Sequence, residues 1–304
     1  MYSISKENPF KQIISFLIIM LISSLIFIGL SFLTAYLIWG SETMKNLGDF
    51  SNPDVIATLK YIQGWSHIGI FTIPPMVFAL LSGHGILGYL NGKKIPDVQH
   101  FLMALGLIII ILPIIGKLAE WNLAMRLPHW LSGIELWMKE SEEAAKIATE
   151  AIVKTSTISG LSANLLIMAI LPAIGEEFLF RGFLMRYFSS FVKNIHLNII
   201  IVSIIFSALH LQFYGFLPRM ALGILLGYLF YWSGSIWLPI VVHFANNAMT
   251  VIVYYLAEVG KINIDAEDFG NINNNYLLII NIIILGLGFY WFEKHKDNAN
   301  IFER

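Results

Sequence analysis

The chain contains no cysteine. Disulfides, thiolate nucleophiles and cysteine-based zinc sites are therefore excluded, while the redox compartment stays open. Charge is scarce as well. Asp, Glu, Lys and Arg make up 13% of the 304 residues, half the ~25% of a soluble domain. Neither sign dominates, since the formal net charge is −1. Nothing in that balance calls for nucleic acid or a polyanionic partner. What fills the chain is apolar: 57% hydrophobic residues and a mean hydropathy of +0.71. This composition argues against a soluble globular domain and against a disordered chain. It reads as a polytopic membrane protein.

A bilayer core about 30 Å thick needs ~20 apolar residues per helix. The gaps between formal charges supply them. Lys11 to Glu42 leaves 30 residues, Lys60 to Lys93 leaves 32, and Asp97 to Lys117 leaves 19. Lys154 to Glu176 leaves 21, Lys193 to Arg219 leaves 25, and Asp268 to Glu293 leaves 24. The 38 residues from Arg219 to Glu258 are too many for one span and are divided at Ser233-Gly234-Ser235. The result is an all-α protein of about eight transmembrane helices. The first apolar run far exceeds a signal-peptide core and no A-x-A site follows, so a retained helix is expected.

Lys and Arg set the expected orientation. With the N-terminus inside, the inner side receives Lys6, Lys11, Lys93, Lys94, Arg186, Lys193, Lys294, Lys296 and Arg304. The short outer loops receive Lys45, Lys60, Arg219 and Lys261, and the long third loop adds Lys117, Arg126, Lys139, Lys146 and Lys154. Both termini are then cytoplasmic. The loop from Glu258 to Asn275 carries Asp265, Glu267 and Asp268, as an outer loop does. Trp137 to Ser159 is charged and Ala-rich, with Glu142/Lys146, Lys146/Glu150 and Glu150/Lys154 at i, i+4. It reads as an amphipathic helix at the outer surface before the fourth span, either a solvated connector or a substrate gate. The expected units are residues 1–158 (three spans and the amphipathic segment), 159–257 (four spans with the polar motifs) and 258–304 (last loop, last span and tail). No internal repeat is visible, and the one biased tract is Asn271 to Asn275.

A charge inside a span costs at least about 2.5–3.5 kcal/mol, so an intramembrane ionisable group is a functional candidate. Three places carry such groups. In the fourth span, Glu176 and Glu177 are flanked by apolar residues on both sides. Glu177 and Arg181 share a helix face at i, i+4 and are expected to pair. Glu176 lies about 100° around the helix, free to face a cavity and to act as general base. Pro172 and Gly175 are expected to open the helix just before the pair. In the fifth span, Phe206 and His210 share a face; in the seventh, His243 and Asn247 present an imidazole and an amide together. Singly, each histidine reads as interhelical packing. Together the three sites supply a base, two imidazoles and an amide, enough to activate water and hold an oxyanion. His67 and His84 read as structural or interfacial, Asn164 and Asn281 as interhelical hydrogen-bonding groups. Trp39, Trp130, Trp232, Trp237 and Trp291 read as interfacial belt residues.

Glu176-Glu177-x-x-x-Arg181, Phe206-x-x-x-His210 and His243-x-x-x-Asn247 occur in this order on separate spans. They resemble the three signature motifs of the CPBP family. These are the CAAX proteases and bacteriocin-processing enzymes, also called the ABI family, related to the Ras-converting CAAX endopeptidase. The motif-bearing core runs from about Ser159 to Tyr255. The resemblance implies an eight-helix intramembrane endopeptidase whose site opens towards the cytosol of a bacterial plasma membrane. It implies catalytic Glu176, Glu177, His210, His243 and Asn247, with Arg181 and Phe206 in support. Glu176, helped by His210, would activate water; His243 and Asn247 would hold the oxyanion. The family is often labelled metalloprotease. Glu176, His210 and His243 would be the ligands of one divalent ion such as zinc, or would work without metal; there is no H-E-x-x-H motif. The implied partners are membrane lipids and a membrane-associated, prenylated or leader-type peptide substrate. The competing readings are a non-enzymatic membrane binding or bacteriocin-immunity protein, and a proton-coupled secondary transporter.

Overall fold

A computed structural model describes residues 4, 7–263 and 274–296. Lys6, Arg304, Asp265, Glu267, Asp268 and Asn271 to Asn273, used above for topology and loop character, lie outside the described residues. The described chain is all helix and loop, without a strand. Seven helices are long and apolar enough to cross a membrane. They are α1 (Pro9–Lys45), α2 (Pro53–Leu81), α4 (Val98–Ala124), α6 (Ile158–Ser189), α8 (Phe213–Ser233), α9 (Trp237–Glu258) and α10 (Asn275–Lys294). Between them lie a single turn, α3 (Ile86–Tyr89), the charged helix α5 (Ser132–Val153), and α7 (Ile195–Ala208).

The expected fifth span is the one that differs. α7 has 14 residues, about 21 Å at 1.5 Å per residue, short of a bilayer core. It stops at Ala208, and Leu211 takes a positive φ of 54° before α8 begins. His210 therefore sits in the turn after α7, not inside a helix.

Cross-element hydrogen bonds define the two ends of the bundle. At one end, Lys94 Nζ donates to the Ser233 carbonyl (3.0 Å) and Ser235 Oγ to the Lys94 carbonyl (2.6 Å). Arg186 donates to Asn91 Oδ1 (2.7 Å) and the Trp237 indole to the Gly92 carbonyl (2.9 Å). At the other end, the Asn122 amide donates to the Phe213 carbonyl (2.9 Å) and accepts from Leu217 N–H (2.7 Å). α5 reaches this second end, where Glu142 accepts from Tyr214 N–H (3.4 Å). Asn164 also joins elements, donating to the Val153 carbonyl (2.6 Å). Asn281 does not: its amide returns to Leu277 of its own helix (2.9 Å), as short polar side chains do when no neighbour is in reach. Trp232 is likewise not a belt residue. It is 3% exposed, stacks on Phe292 at 5.4 Å and donates to Glu293 (2.9 Å).

Two packing devices position the site. α8 carries Gly223 and Gly227 one turn apart, facing α7. A Cβ at Gly227 would stand 2.9 Å from Ile199, and one at Gly223 would stand 3.1 Å from Ser203. Small residues at this spacing let two backbones approach closely in lipid. The second device is the π-turn. α2 widens at Ile68–Thr72, just before Pro74 and Pro75, and α6 widens at Leu165–Ile170, just before Pro172. Proline lacks an N–H and crowds the carbonyl four residues back, and a wider turn absorbs both problems. α6 thus stays one continuous helix at Pro172 and Gly175 rather than opening there. It widens again at Phe178–Leu184, past the carboxylate pair.

Candidate active site

α6 buries three formal charges in succession. Glu176 is 8% exposed, Glu177 0% and Arg181 1%. Arg181 Nη1 donates to Glu177 Oε1 at 2.7 Å and Nη2 to the Gly223 carbonyl at 2.8 Å. Glu176 takes no part in that pair. The guanidinium also stands 5.2 Å from the centre of the Phe206 ring, an attractive cation–π geometry.

The same Glu177 Oε1 accepts a second hydrogen bond, from His243 Nδ1 at 2.8 Å. This contact joins α9 to α6 across 66 residues of sequence. With Nδ1 donating to Glu177, the other ring nitrogen is turned elsewhere. It lies 3.9 Å from Glu176 Oε2. Glu177 is thus the hub of the site: it neutralises Arg181 and fixes the ring plane of His243. Glu176 is the carboxylate left facing inward.

Phe206, at the end of α7, packs at the centre of the motif residues. Its ring meets His210 at 5.0 Å and His243 at 6.0 Å, edge-on in both cases. His210 donates Nδ1–H to the Phe206 carbonyl (2.8 Å), which leaves Nε2 as its available nitrogen. His210 is exposed, in contrast to buried His243. It stands at the rim, within electrostatic reach of Glu176 and His243. Asn247 is half-buried one turn beyond His243, where its Oδ1 accepts from the Asn246 amide (3.1 Å).

A residue set aside in sequence faces this centre. His67, at the start of the α2 π-turn, brings Nε2 to 3.5 Å from Glu176 Oε1. That is an ion-pair spacing rather than a well-formed hydrogen bond. Glu176 is therefore bracketed by two imidazoles, His67 on one oxygen and His243 on the other. No spacing in the sequence announces this, because the partners are on different helices. The signal that was available is Gly175, next to Glu176, where a side chain would leave no room for His67.

The residues offered to a divalent metal do not fit one. Among the described residues no group of three His, Asp or Glu side chains is arranged to hold a metal ion, and Glu176, His210 and His243 are no exception. A separate cavity of about 210 Å³ is lined by Lys94, Asp97, His100, Trp232, His295 and others. It includes none of the motif residues.

Residues 158–249 match the family described as Type II CAAX prenyl endopeptidase Rce1-like. A curated relative, "Uncharacterized protein YpbD" of Bacillus subtilis (strain 168), is 30% identical over 90 residues. That stretch is 28% of this chain and 43% of the relative, so the likeness spans less than half of either protein. No solved structure gives a significant match. The matched segment contains all three motifs, from Glu176 to Asn247.

Proposed function

We propose that this protein is an intramembrane endopeptidase that hydrolyses a peptide bond with water activated by Glu176. The observation that carries the reading is the division of labour between adjacent buried carboxylates. Glu177 is consumed by Arg181 and His243. Glu176 faces imidazoles and has no cation of its own to neutralise it.

The chemistry follows from that arrangement. Glu176 takes a proton from water, and the hydroxide adds to the scissile carbonyl. Negative charge gathers on the carbonyl oxygen. The form of His243 that carries both N–H groups gives Nδ1–H to Glu177 and leaves Nε2–H for this oxyanion. The Asn247 amide is the second donor and the His210 Nε2 helps orient the water. Collapse of the adduct breaks the C–N bond, and the proton held by Glu176 passes to the leaving amine. Preorganised donors in a water-poor site are worth more than in water. Clustering of the ionisable groups around one point favours this reading over a proton relay, which needs them strung along a path.

The substrate is a membrane-associated peptide, prenylated or leader-type, which reaches the site through lipid. The Lys and Arg distribution supports cytoplasmic termini; a bacterial plasma membrane rests on the family resemblance alone. The test compares membranes containing the parent chain or Glu176→Gln at matched abundance, by quantitative proteomics of newly formed peptide termini. Loss of a general base lowers cleavage by about 10²–10⁴-fold, with folding retained, since a neutral amide is cheaper to bury than a carboxylate. His243→Ala loses about 10²–10³-fold, the scale of a missing oxyanion donor. A Glu176→Gln chain that forms every parental product at the parental rate overturns the assignment and favours a binding or immunity protein.

A further inference from the structure

His67 lies outside the matched segment, on the second of the two helices that precede the third span. Nevertheless it enters the site. Its ring stacks on Phe71 at 4.6 Å with an interplanar angle of 23°. Its edge is aimed at α6, where Nε2 stands 3.5 Å from Glu176 Oε1. The approach depends on Gly175. A Cβ at that position would sit 2.8 Å from His67 Cε1 and 2.7 Å from Thr72 Oγ1. Any other residue there would push α2 away from the carboxylate.

The hydrogen-bond inventory separates His67 from two other histidines of this chain. His210 and His295 each tie Nδ1 to a carbonyl of the preceding turn, at 2.8 Å in both cases. His67 has neither ring nitrogen hydrogen-bonded within the protein, although both are buried. The Thr72 hydroxyl and Glu176 Oε2 are buried and unpartnered in the same way. A polar group is costly to bury without a partner, and Gly175 lets the two such residues of α2, His67 and Thr72, close on the helix that carries Glu176. A ring kept only for packing on Phe71 would need no nitrogen.

We infer that His67 is a positioning residue for Glu176: its Nε2–H holds Oε1, so that Oε2 is aimed at the water and at His243. The inference rests on the reading of Glu176 as general base. It extends the working site beyond the Rce1-like segment, into the N-terminal helices. Those helices thus supply a group that the three motifs do not contain, and the motif segment alone is an incomplete site.

The experiment uses the full chain in membranes and two variants that divide the properties of the ring. His67→Phe keeps the shape and the stack on Phe71 but removes the nitrogens. His67→Gln loses the stack but keeps an N–H donor near the position of Nε2. The readout is the rate at which the Glu176-dependent peptide termini form. A positioning role predicts a fall of about 10²-fold for His67→Phe, the scale of a reacting group displaced by an ångström, and recovery of most of that loss in His67→Gln. The reverse ranking, Phe active and Gln impaired, overturns the inference and makes His67 a packing residue. A second measurement is independent of cleavage. Unfolding in bicelles is followed for His67→Phe, Glu176→Gln and the double variant. Coupled partners are non-additive, so the effect of His67→Phe vanishes in the Glu176→Gln background; strict additivity overturns the inference. Should Glu176→Gln itself cleave like the parent, the base assignment falls and this role with it. Should Glu176→Gln be inactive while His67→Phe is fully active, the positioning role alone falls.

Discussion

α1 and α6 are both long, apolar on average and able to cross a bilayer, yet they solve opposite problems. α1 keeps four residues buried, Phe16, Ser23, Ser31 and Ala35, and leaves the others half-buried or exposed; Leu25 is 65% exposed. Its 37 residues run to about 55 Å, well beyond a bilayer core. Only the last five residues lie beyond the kink at Gly40, whose φ is +78°. Its specific contacts are few: Phe16 stacks on Phe183 of α6 at 3.7 Å, Thr34 hydrogen-bonds Tyr61 at 2.9 Å and Phe27 packs on Gly69 and Trp65 of α2; its lipid-facing side needs only hydropathy. α6 buries a carboxylate pair and a guanidinium, and every one of those groups needs a partner at a defined place. Hydropathy places a helix in lipid; it does not place its side chains against one another. On the exposed face of the first helix almost any apolar residue serves, whereas in the second the identity of a single atom matters.

That contrast breaks most visibly at Arg181. Arg181→Ala leaves Glu177 buried without its cation and lowers stability by about 3–5 kcal/mol. Adding Glu177→Gln to that variant restores most of the stability, because the orphaned charge is gone. It does not restore cleavage, since the neutral amide still accepts from His243 but no longer stabilises the form of its ring that carries both N–H groups. Reversible unfolding in bicelles measures the first statement and terminus proteomics the second. Arg181→Ala chains as stable as the parent would remove the internal ion pair from the account.

The packing between α7 and α8 is the next test. Gly227→Leu pushes a side chain against Ile199, which a Cβ alone already meets at 2.9 Å. Overpacking of this kind costs about 1–3 kcal/mol and moves α7, which carries Phe206. A smaller apparent stability and a lower cleavage rate are therefore expected together. Unchanged values for both would show that α7 and α8 slide apart without consequence.

The smallest effect is expected on α1. Leu25→Ala exchanges one lipid-facing apolar residue for another and shifts stability by less than about 0.5 kcal/mol, because lipid is as apolar as leucine. A large loss at Leu25 in the same unfolding assay would mean that α1 has a protein partner on that face.

The spans were legible in sequence because the absence of charge over ~20 residues is a strong physical constraint. The fifth was the exception. Its 25-residue gap holds a 14-residue helix, a turn and the start of the next helix, and hydropathy does not distinguish these. The Glu177–Arg181 pair was legible because i, i+4 is a local relation. The bond from His243 to Glu177 and the approach of His67 to Glu176 were not. They link residues 66 and 109 positions apart, and a single histidine in an apolar helix has no pattern of its own. Trp232 was misplaced for a related reason. Tryptophan near a helix end belongs to the interface only when a neighbouring helix does not cover it, and α10 does.

The π-turns have one more consequence, for descent rather than for chemistry. Such a turn accommodates a residue more than an α-turn does. Deleting a single residue within Leu165–Ile170 or Phe178–Leu184 would let the turn relax to ordinary α pitch without unwinding the helix. Insertions and deletions of one residue, normally forbidden inside a membrane helix because they rotate everything beyond by about 100°, have a place to be absorbed here. α6 is therefore a helix in which evolutionary gaps are structurally admissible on either side of Glu176 and Glu177, so ungapped alignment through it would mistake a change of register for a change of residue.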